Sequence, residues 1–244
     1  MASKADSQRP VVGLVIPFTH VVRYFLDLAH FLYPELRFIG KSVDVKSVSH
    51  EGFKDSWGRI VPTASELVAE GAQAVMVIGT SLTFHRGPEA HERLLAELRT
   101  LGVPIGTMST AIVDGLRHFG SKEIGVATAY GEDINAPLRE YLVHSGFKVL
   151  ALEGFGGANT ASSKTDDDLC GISRRVLKEA GHADGLLVSC GGLKTLTAAP
   201  KIEAEHGLPV VCSTESSLWA AARLAGHSGR APGHGRLLES AATA

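Results

Sequence analysis

The sequence predicts an α/β protein made of two pseudo-symmetric, doubly wound lobes, each built on a parallel sheet, with a cleft between them. Three observations carry this. Short apolar strands alternate with amphipathic helical stretches along the whole chain, the order expected when parallel strands are joined by helical crossovers. The strands are continuous apolar runs rich in β-branched residues, as expected of strands covered on both faces. The pattern then repeats once, at a separation of roughly 105–112 residues, which suits a duplicated domain and is far too long for a solenoid.

In chain order, Val11 to Ile16 reads as the first strand and Val21 to Phe31 as the first helix. Phe38 to Val43 is the next strand, and Ile60 to Glu70 a helix with apolar spacing. Ala74 to Ile78 is a buried strand, Glu89 to Thr100 a helix, and Pro104 to Met108 a short fourth strand. The restart is visible as Ile124-Gly125-Val126-Ala127 after Val12-Gly13-Leu14-Val15, Gly185 to Ser189 after Ala74 to Ile78, and Leu208-Pro209-Val210-Val211 after Val103-Pro104-Ile105-Gly106. The first lobe is expected over residues 1–113 together with 215–244, the last helix returning to it, and the second over 114–214.

The formal charge of −2 comes without a block of like charges, which argues against a nucleic-acid partner. The apolar runs are too short to span a bilayer, and Met1 to Pro10 has no apolar signal core. A cytoplasmic protein, monomeric or weakly oligomeric, is expected. Its three cysteines, Cys170, Cys190 and Cys212, are then free thiols, and they lack the clustered spacing of a zinc site.

In open parallel sheets ligands sit beyond the carboxyl ends of the strands. Two facing lobes would line one cleft with Pro17-Phe18-Thr19, Gly79-Thr80-Ser81, Met108-Ser109-Thr110, Thr128-Ala129-Tyr130, Cys190-Gly191-Gly192 and Ser213-Thr214-Glu215. These loops are rich in hydroxyls and glycines and hold no carboxylate pair or metal-ligand cluster. Ser189-Cys190-Gly191-Gly192 follows a buried strand and precedes a helix expected over Lys194 to Glu205, whose N-terminus would favour an anion. Cys190 there is either a proton-exchanging thiol or a small buried apolar residue, and position alone leaves both open.

By the repeat, Gly79 is the counterpart of Cys190. Thr80 and Ser81 could donate to a carboxylate or simply cap a helix. Tyr130 could reach the cleft or pack at a strand end. Cys170 and Cys212 read as core, and His85 as a surface residue. Asp166-Asp167-Asp168 reads as an acidic helix start, and Gly154-Phe155-Gly156-Gly157 as a mobile loop over the cleft.

Ile78-Gly79-Thr80-Ser81-Leu82 with Phe84 and Arg86-Gly87, Thr107-Met108-Ser109-Thr110-Ala111, Ala127-Thr128-Ala129-Tyr130 and Ser189-Cys190-Gly191-Gly192-Leu193 together resemble the bacterial arylmalonate decarboxylase family. Arg223-Leu224-Ala225-Gly226 and Pro232-Gly233-His234-Gly235-Arg236-Leu237 extend the resemblance to nearly the whole chain. The wider group is the Asp/Glu racemase superfamily, with maleate isomerases and hydantoin racemases. Its racemases and isomerases typically carry a cysteine in both lobes. The decarboxylases carry glycine in the first and cysteine in the second, as Gly79 and Cys190 do.

The resemblance implies decarboxylation of α-aryl or α-alkenyl malonates to chiral monocarboxylic acids, with no metal or organic cofactor. One carboxylate of the small substrate would sit in a dioxyanion hole of Thr80, Ser81, Tyr130 and the backbone N–H groups near Cys190, Gly191 and Gly192. The other would sit in an apolar pocket at Pro17, Val45, Val48 and Phe53. Cys190 would protonate the resulting enediolate. Phe18 stands where the family has a second proline, Phe53 and His85 replace tyrosines, and Phe155 to Lys164 departs from the pattern. The other readings are a racemase or cis-trans isomerase of small carboxylic acids, and a cytosolic carboxylate-binding module.

Overall fold

The structure, a computed structural model, describes residues 9–240. Most of the polar stretch Met1 to Pro10, and residues 1–8 and 241–244 of the range assigned to the first lobe, lie outside the described residues.

Two four-stranded parallel sheets form the framework. The first contains β1 (Val11–Ile16), β2 (Arg37–Ser42), β3 (Ala74–Val77) and β4 (Ile105–Thr107), in the order β2-β1-β3-β4. The second contains β5 (Glu123–Thr128), β6 (Lys148–Gly154), β7 (Gly185–Ser189) and β8 (Val210–Cys212), in the order β6-β5-β7-β8. The two orders are the same topology, so the repeat in the sequence is a repeat in space.

Helices cover both faces, which is why the central strands can be apolar without alternation. They are α1 (Val22–Leu32), α2 (His50–Trp57), α3 (Ile60–Ala69), α4 (Thr80–Phe84), α5 (Pro88–Arg99) and α6 (Met108–His118) in the first half. The second half adds α7 (Glu132–His144), α8 (Asp166–Ala180), α9 (Ala198–His206), α10 (Ser213–Leu224) and α11 (Arg236–Glu239). Every residue of β3 and β7 is buried. Each Leu, Ile or Val removed from water there stabilises the fold by about 1.5–3 kcal/mol. The echoed glycines have a packing reason. A Cβ at Gly13 would lie 3.0 Å from Leu67 of α3, and one at Gly125 would lie 2.8 Å from Val176 of α8. A glycine in each lobe's first strand thus lets a helix pack closely on the sheet.

Residue 114, where the sequence suggested a boundary, lies inside α6. The chain leaves the first sheet through this helix, which packs against β4 and also against β7 and β8. Helix α10 does the reciprocal: it follows β8 and packs on β3 and β4 as well as on α6. These two helices join the sheets.

Two expectations are corrected. The helix after Cys190 begins at Ala198, not Lys194, because residues 191–197 form turns and irregular backbone. Its positive end is therefore not beside the thiol. Gly154 to Gly157 is not a free loop. Phe155, Gly156 and Gly157 donate backbone hydrogen bonds to the carbonyls of Thr128 (3.0 Å), Tyr130 (3.2 Å) and Ala129 (2.8 Å). A 3₁₀ segment, Ala158–Ser163, continues from this anchored strand end. The acidic run at 166–168 does open α8, with Thr165 and Asp168 forming a capping box.

The anchoring of β6 against β5 leaves no room at Gly154, where a Cβ would lie 2.1 Å from the Tyr130 carbonyl oxygen and 2.8 Å from Thr128 Oγ1. Gly154→Ala is expected to cost about 1–3 kcal/mol, the range for overpacking. Urea unfolding would measure it. A loss under about 0.5 kcal/mol, the level of a neutral surface change, would show that the strand end yields freely.

Candidate active site

The carboxyl ends of both sheets open onto one cavity of about 700 Å³. In each sheet the chain winds one way from the first strand to its outer neighbour and the other way from the third strand to the fourth, so a crevice opens between the two central strands. The cavity takes Pro17 from the end of β1, Gly79 from the end of β3, Tyr130 from the end of β5 and Cys190 from the end of β7. The residues expected to hold or convert the substrate line it: Pro17, Val45, Val48, Phe53, Gly79, Thr80, Ser81, Tyr130, Cys190, Gly191 and Gly192. Of the other expected loops, Met108-Ser109-Thr110, Thr128-Ala129 and Ser213-Thr214-Glu215 do not line it. They begin helices or end strands behind the wall and hold the lining residues by hydrogen bonds.

Local sequence explains each wall. Val45 is placed by its backbone N–H, which donates to the Pro17 carbonyl at 2.7 Å. Ser49 then caps α2 by accepting from the Gly52 N–H at 3.0 Å, and α2 presents the buried Phe53. Pro17, Val45, Val48 and Phe53 of this wall carry no hydrogen-bonding side chain, and the exposed Lys46 and Ser47 of the same segment also line the cavity. The opposite wall is polar. Thr80 and Ser81 are the first residues of α4, whose cap is Gly79, so neither hydroxyl is used in capping. The Thr80 hydroxyl donates to Ser213 Oγ at 3.1 Å, and Ser213 donates to Ser189 Oγ at 3.2 Å. Ser109 donates to the Thr80 carbonyl at 3.1 Å.

Tyr130 is fixed from behind. Its N–H donates to Thr128 Oγ1 at 3.1 Å, and Asn135 donates to its carbonyl at 3.3 Å. Its hydroxyl is buried, close to the hydroxyls of Thr80, Ser81 and Ser189 and to the Cys190 thiol. Burial is the largest influence and holds the phenol well above its ordinary pKa, so the oxygen keeps its proton. The result is a buried, protonated donor in the polar wall, beside the hydroxyls of Thr80, Ser81 and Ser189.

Cys190 is 9 % exposed and adopts φ 147°, a conformation L-residues rarely take. Its register counterpart Gly79 has φ 109°. The pairing confirms the equivalence, because Val15 sits opposite Val77 in the first sheet as Ala127 sits opposite Val188 in the second. Burial pushes the thiol's pKa up. The backbone N–H groups of Gly192 and Leu193 and the Tyr130 hydroxyl oppose this less strongly. The group therefore rests as a protonated thiol at neutral pH.

His85 is corrected. It is buried, with Phe53, Trp57 and His50 around its ring. Its Nδ1–H donates to the carbonyls of Leu82 (2.9 Å) and Ser81 (3.2 Å), and burial lowers its pKa to about 4. It is a neutral support behind the Phe53 wall and does not line the cavity. Cys170 and Cys212 are buried and also lie outside it. Among the described residues no cluster of His, Cys, Asp or Glu could hold a metal ion, and no helix is long and apolar enough to cross a membrane. Missed from the sequence were the lining residues His20, Tyr24, Phe25, Lys46 and Lys194. Nothing in local spacing marks them, since they come from helix, loop and turn and meet only through tertiary packing.

A sequence model of the arylmalonate decarboxylase family matches residues 12–238. Over 96 % of its length the chain is 39 % identical to arylmalonate decarboxylase of Bordetella bronchiseptica, covering 98 % of that protein. A liganded double variant of arylmalonate decarboxylase superposes with a TM-score of 0.89 at 34 % identity, covering 94 % of this chain and 99 % of that one. The maleate isomerase of Pseudomonas putida S16 shares the fold, with a TM-score of 0.83 at 23 % identity, covering 96 % and 100 %.

The strained backbone at Cys190 makes a test of stability. Alanine in an element normally outranks glycine. At this position Cys190→Gly is expected to be more stable than Cys190→Ala by about 1 kcal/mol, because only glycine relieves the strain. Urea unfolding of both variants would read this, and an alanine variant as stable as the glycine one would show that φ here carries no strain.

Proposed function

The chain belongs to the arylmalonate decarboxylase family, and we propose that it decarboxylates α-aryl or α-alkenyl malonates to chiral monocarboxylic acids with Cys190 as the proton donor. The observation that carries this reading is the one-sided cavity: a buried, protonated thiol on one face and Gly79 at the equivalent place on the other.

The malonate enters as a dianion. One carboxylate accepts hydrogen bonds from Thr80, Ser81 and Tyr130 and from backbone N–H groups of the Cys190-Gly191-Gly192 turn. Tyr130, kept protonated by burial and surrounded by the hydroxyls of Thr80, Ser81 and Ser189, is the buried donor of this set. The other carboxylate faces Pro17, Val45, Val48 and Phe53, which offer it no donor. Its carbon–carbon bond to the α-carbon breaks and it leaves as carbon dioxide. The electron pair left on the α-carbon spreads into the held carboxylate as an enediolate, where each well-placed donor is worth about 10²–10³ in rate. The Cys190 S–H bond then delivers its proton to the α-carbon from one face, and the thiolate regains a proton from water.

A raised thiol pKa suits this role, because an acid must hold its proton until the carbanion forms. A two-base racemase would need a second proton carrier opposite Cys190, and Gly79 supplies none. The free state of all three cysteines suits the reducing cytoplasm.

Carbon dioxide release from phenylmalonate and from 2-methyl-2-phenylmalonate is expected, and no turnover of any arylmalonate or alkenylmalonate would remove the reading. Cys190→Ala is expected to lose most of the activity while remaining folded by circular dichroism. Full activity in that variant would overturn the proton-donor role.

The repeat gives a stereochemical test as well. Gly79→Cys combined with Cys190→Ser is expected to reverse the handedness of the product from 2-methyl-2-phenylmalonate, read by chiral chromatography. A Cβ at Gly79 would meet Leu82 Cβ at 3.2 Å and Pro17 Cγ at 3.4 Å, a tight but side-chain-only fit. Unchanged handedness in an active double variant would show that the two positions do not face each other across the substrate.

A further inference from the structure

The cavity has two layers of different character. Pro17, Val45, Phe53, Thr80, Tyr130 and Cys190 are buried, and no formally charged side chain stands among them. His20, Tyr24, Lys46, Asn159, Ser162 and Lys194 line the same cavity but are exposed, so they form its mouth. Among the described residues the lining holds two lysines and no aspartate or glutamate. Lys46 is paired with Asp44, which lies outside the lining. The Lys194 ammonium has no hydrogen bond or ion pair among the described residues, and it stands two residues beyond Gly192 of the catalytic turn.

The head-group chemistry proposed above takes place in the buried, uncharged layer and calls on neither lysine. The cavity is also larger than that head group needs. Its volume of about 700 Å³ falls in the range of about 300–1,000 Å³ typical of sites for drug-sized ligands. A substituent on the α-carbon that fills the remaining space must reach the mouth, where the only unpaired charge it meets is positive.

We infer that the mouth is a subsite for a second anionic group, and that the preferred substrates are malonates whose α-substituent ends in an acidic group paired with Lys194 and more weakly with Lys46. This rests on the proposed decarboxylation for the identity of the head group, but not for the subsite itself. Lys194 is the stronger partner because Asp44 already satisfies Lys46. The pair forms in partial contact with water, so its contribution is modest and falls with added salt.

The test compares phenylmalonate with 4-carboxyphenylmalonate as substrates, and phenylacetate with 4-carboxyphenylacetate as ligands in calorimetry, for the unmodified protein, Lys194→Gln and Lys46→Gln. The unmodified protein is expected to favour the carboxylated substrate in kcat/KM, and the carboxylated ligand in affinity, by about three- to fivefold at low salt. Lys194→Gln is expected to bring both ratios close to one, and Lys46→Gln to reduce them by less.

A ratio near one in the unmodified protein, or one that survives Lys194→Gln, overturns the subsite. An equal loss for both substrates in Lys194→Gln also overturns it, because it would mark general attraction of anions into the cleft. The binding arm separates the two proposals. A Lys194-dependent preference among the ligands without turnover of either malonate would sustain the subsite and remove the decarboxylase reading. Turnover of both malonates with no such preference would do the reverse.

Discussion

One backbone requirement governs this molecule: each sheet's second central strand must end in a residue with strongly positive φ, so that the chain can turn across the mouth of the crevice. In the first sheet that residue is Gly79 at φ 109°, and in the second it is Cys190 at φ 147°. Glycine meets the requirement without steric cost. A cysteine meets it only under strain of about 1–3 kcal/mol, which the surrounding structure must offset. The offset comes from β7, buried throughout, and from α6 and α10, which hold the two sheets together. A strained side chain kept at the focus of a cavity, opposite an unstrained position that has none, makes the site chemically one-sided.

The interior of that cavity works by neutral groups. Burial raises the pKa of both Cys190 and Tyr130, so both hold their protons inside the cavity. Thr80, Ser213 and Ser189 form a chain of hydroxyls that runs from the first lobe through α10 into the second, tying the polar wall to both sheets. The apolar wall at Val45 and Phe53 rests in turn on His85, whose ring is kept neutral by burial. Stability and reactivity share one cause here. Exclusion of water packs the two sheets together, and it also sets which groups can carry charge.

Much of the fold was readable because its strands are unbroken apolar runs. Val11 to Ile16 and Ala74 to Ile78 announce strands covered on both faces, and their echoes at Ile124 and Gly185 announce the second lobe. The central lining of the cavity was readable for the same reason, since Gly79, Thr80, Ser81, Tyr130 and Cys190 all sit at strand ends that the pattern locates. Family resemblance added Val45, Val48 and Phe53, whose approach to the cavity no local periodicity predicts. The helix after Cys190 was misplaced because residues 191–197 form turns and irregular backbone, and regular helix starts only at Ala198. Gly154 to Gly157 looked like a free loop because the three carbonyls that bind it belong to residues about 25 positions earlier in the chain.

By itself the sequence determined the order of strands, the duplication and the pairing of Gly79 with Cys190, because these follow from side-chain period and residue type within short windows. Only the tertiary structure decided which of those residues share a cavity, that His85 is buried, and that Lys194 stands at the mouth without a partner. It also decided that the Cys190 thiol stays protonated. The physical reason is that burial and electrostatic environment are properties of packing between segments far apart in the chain. Whether a thiol is an acid or an inert core residue depends on the groups that surround it, and those groups come from both lobes.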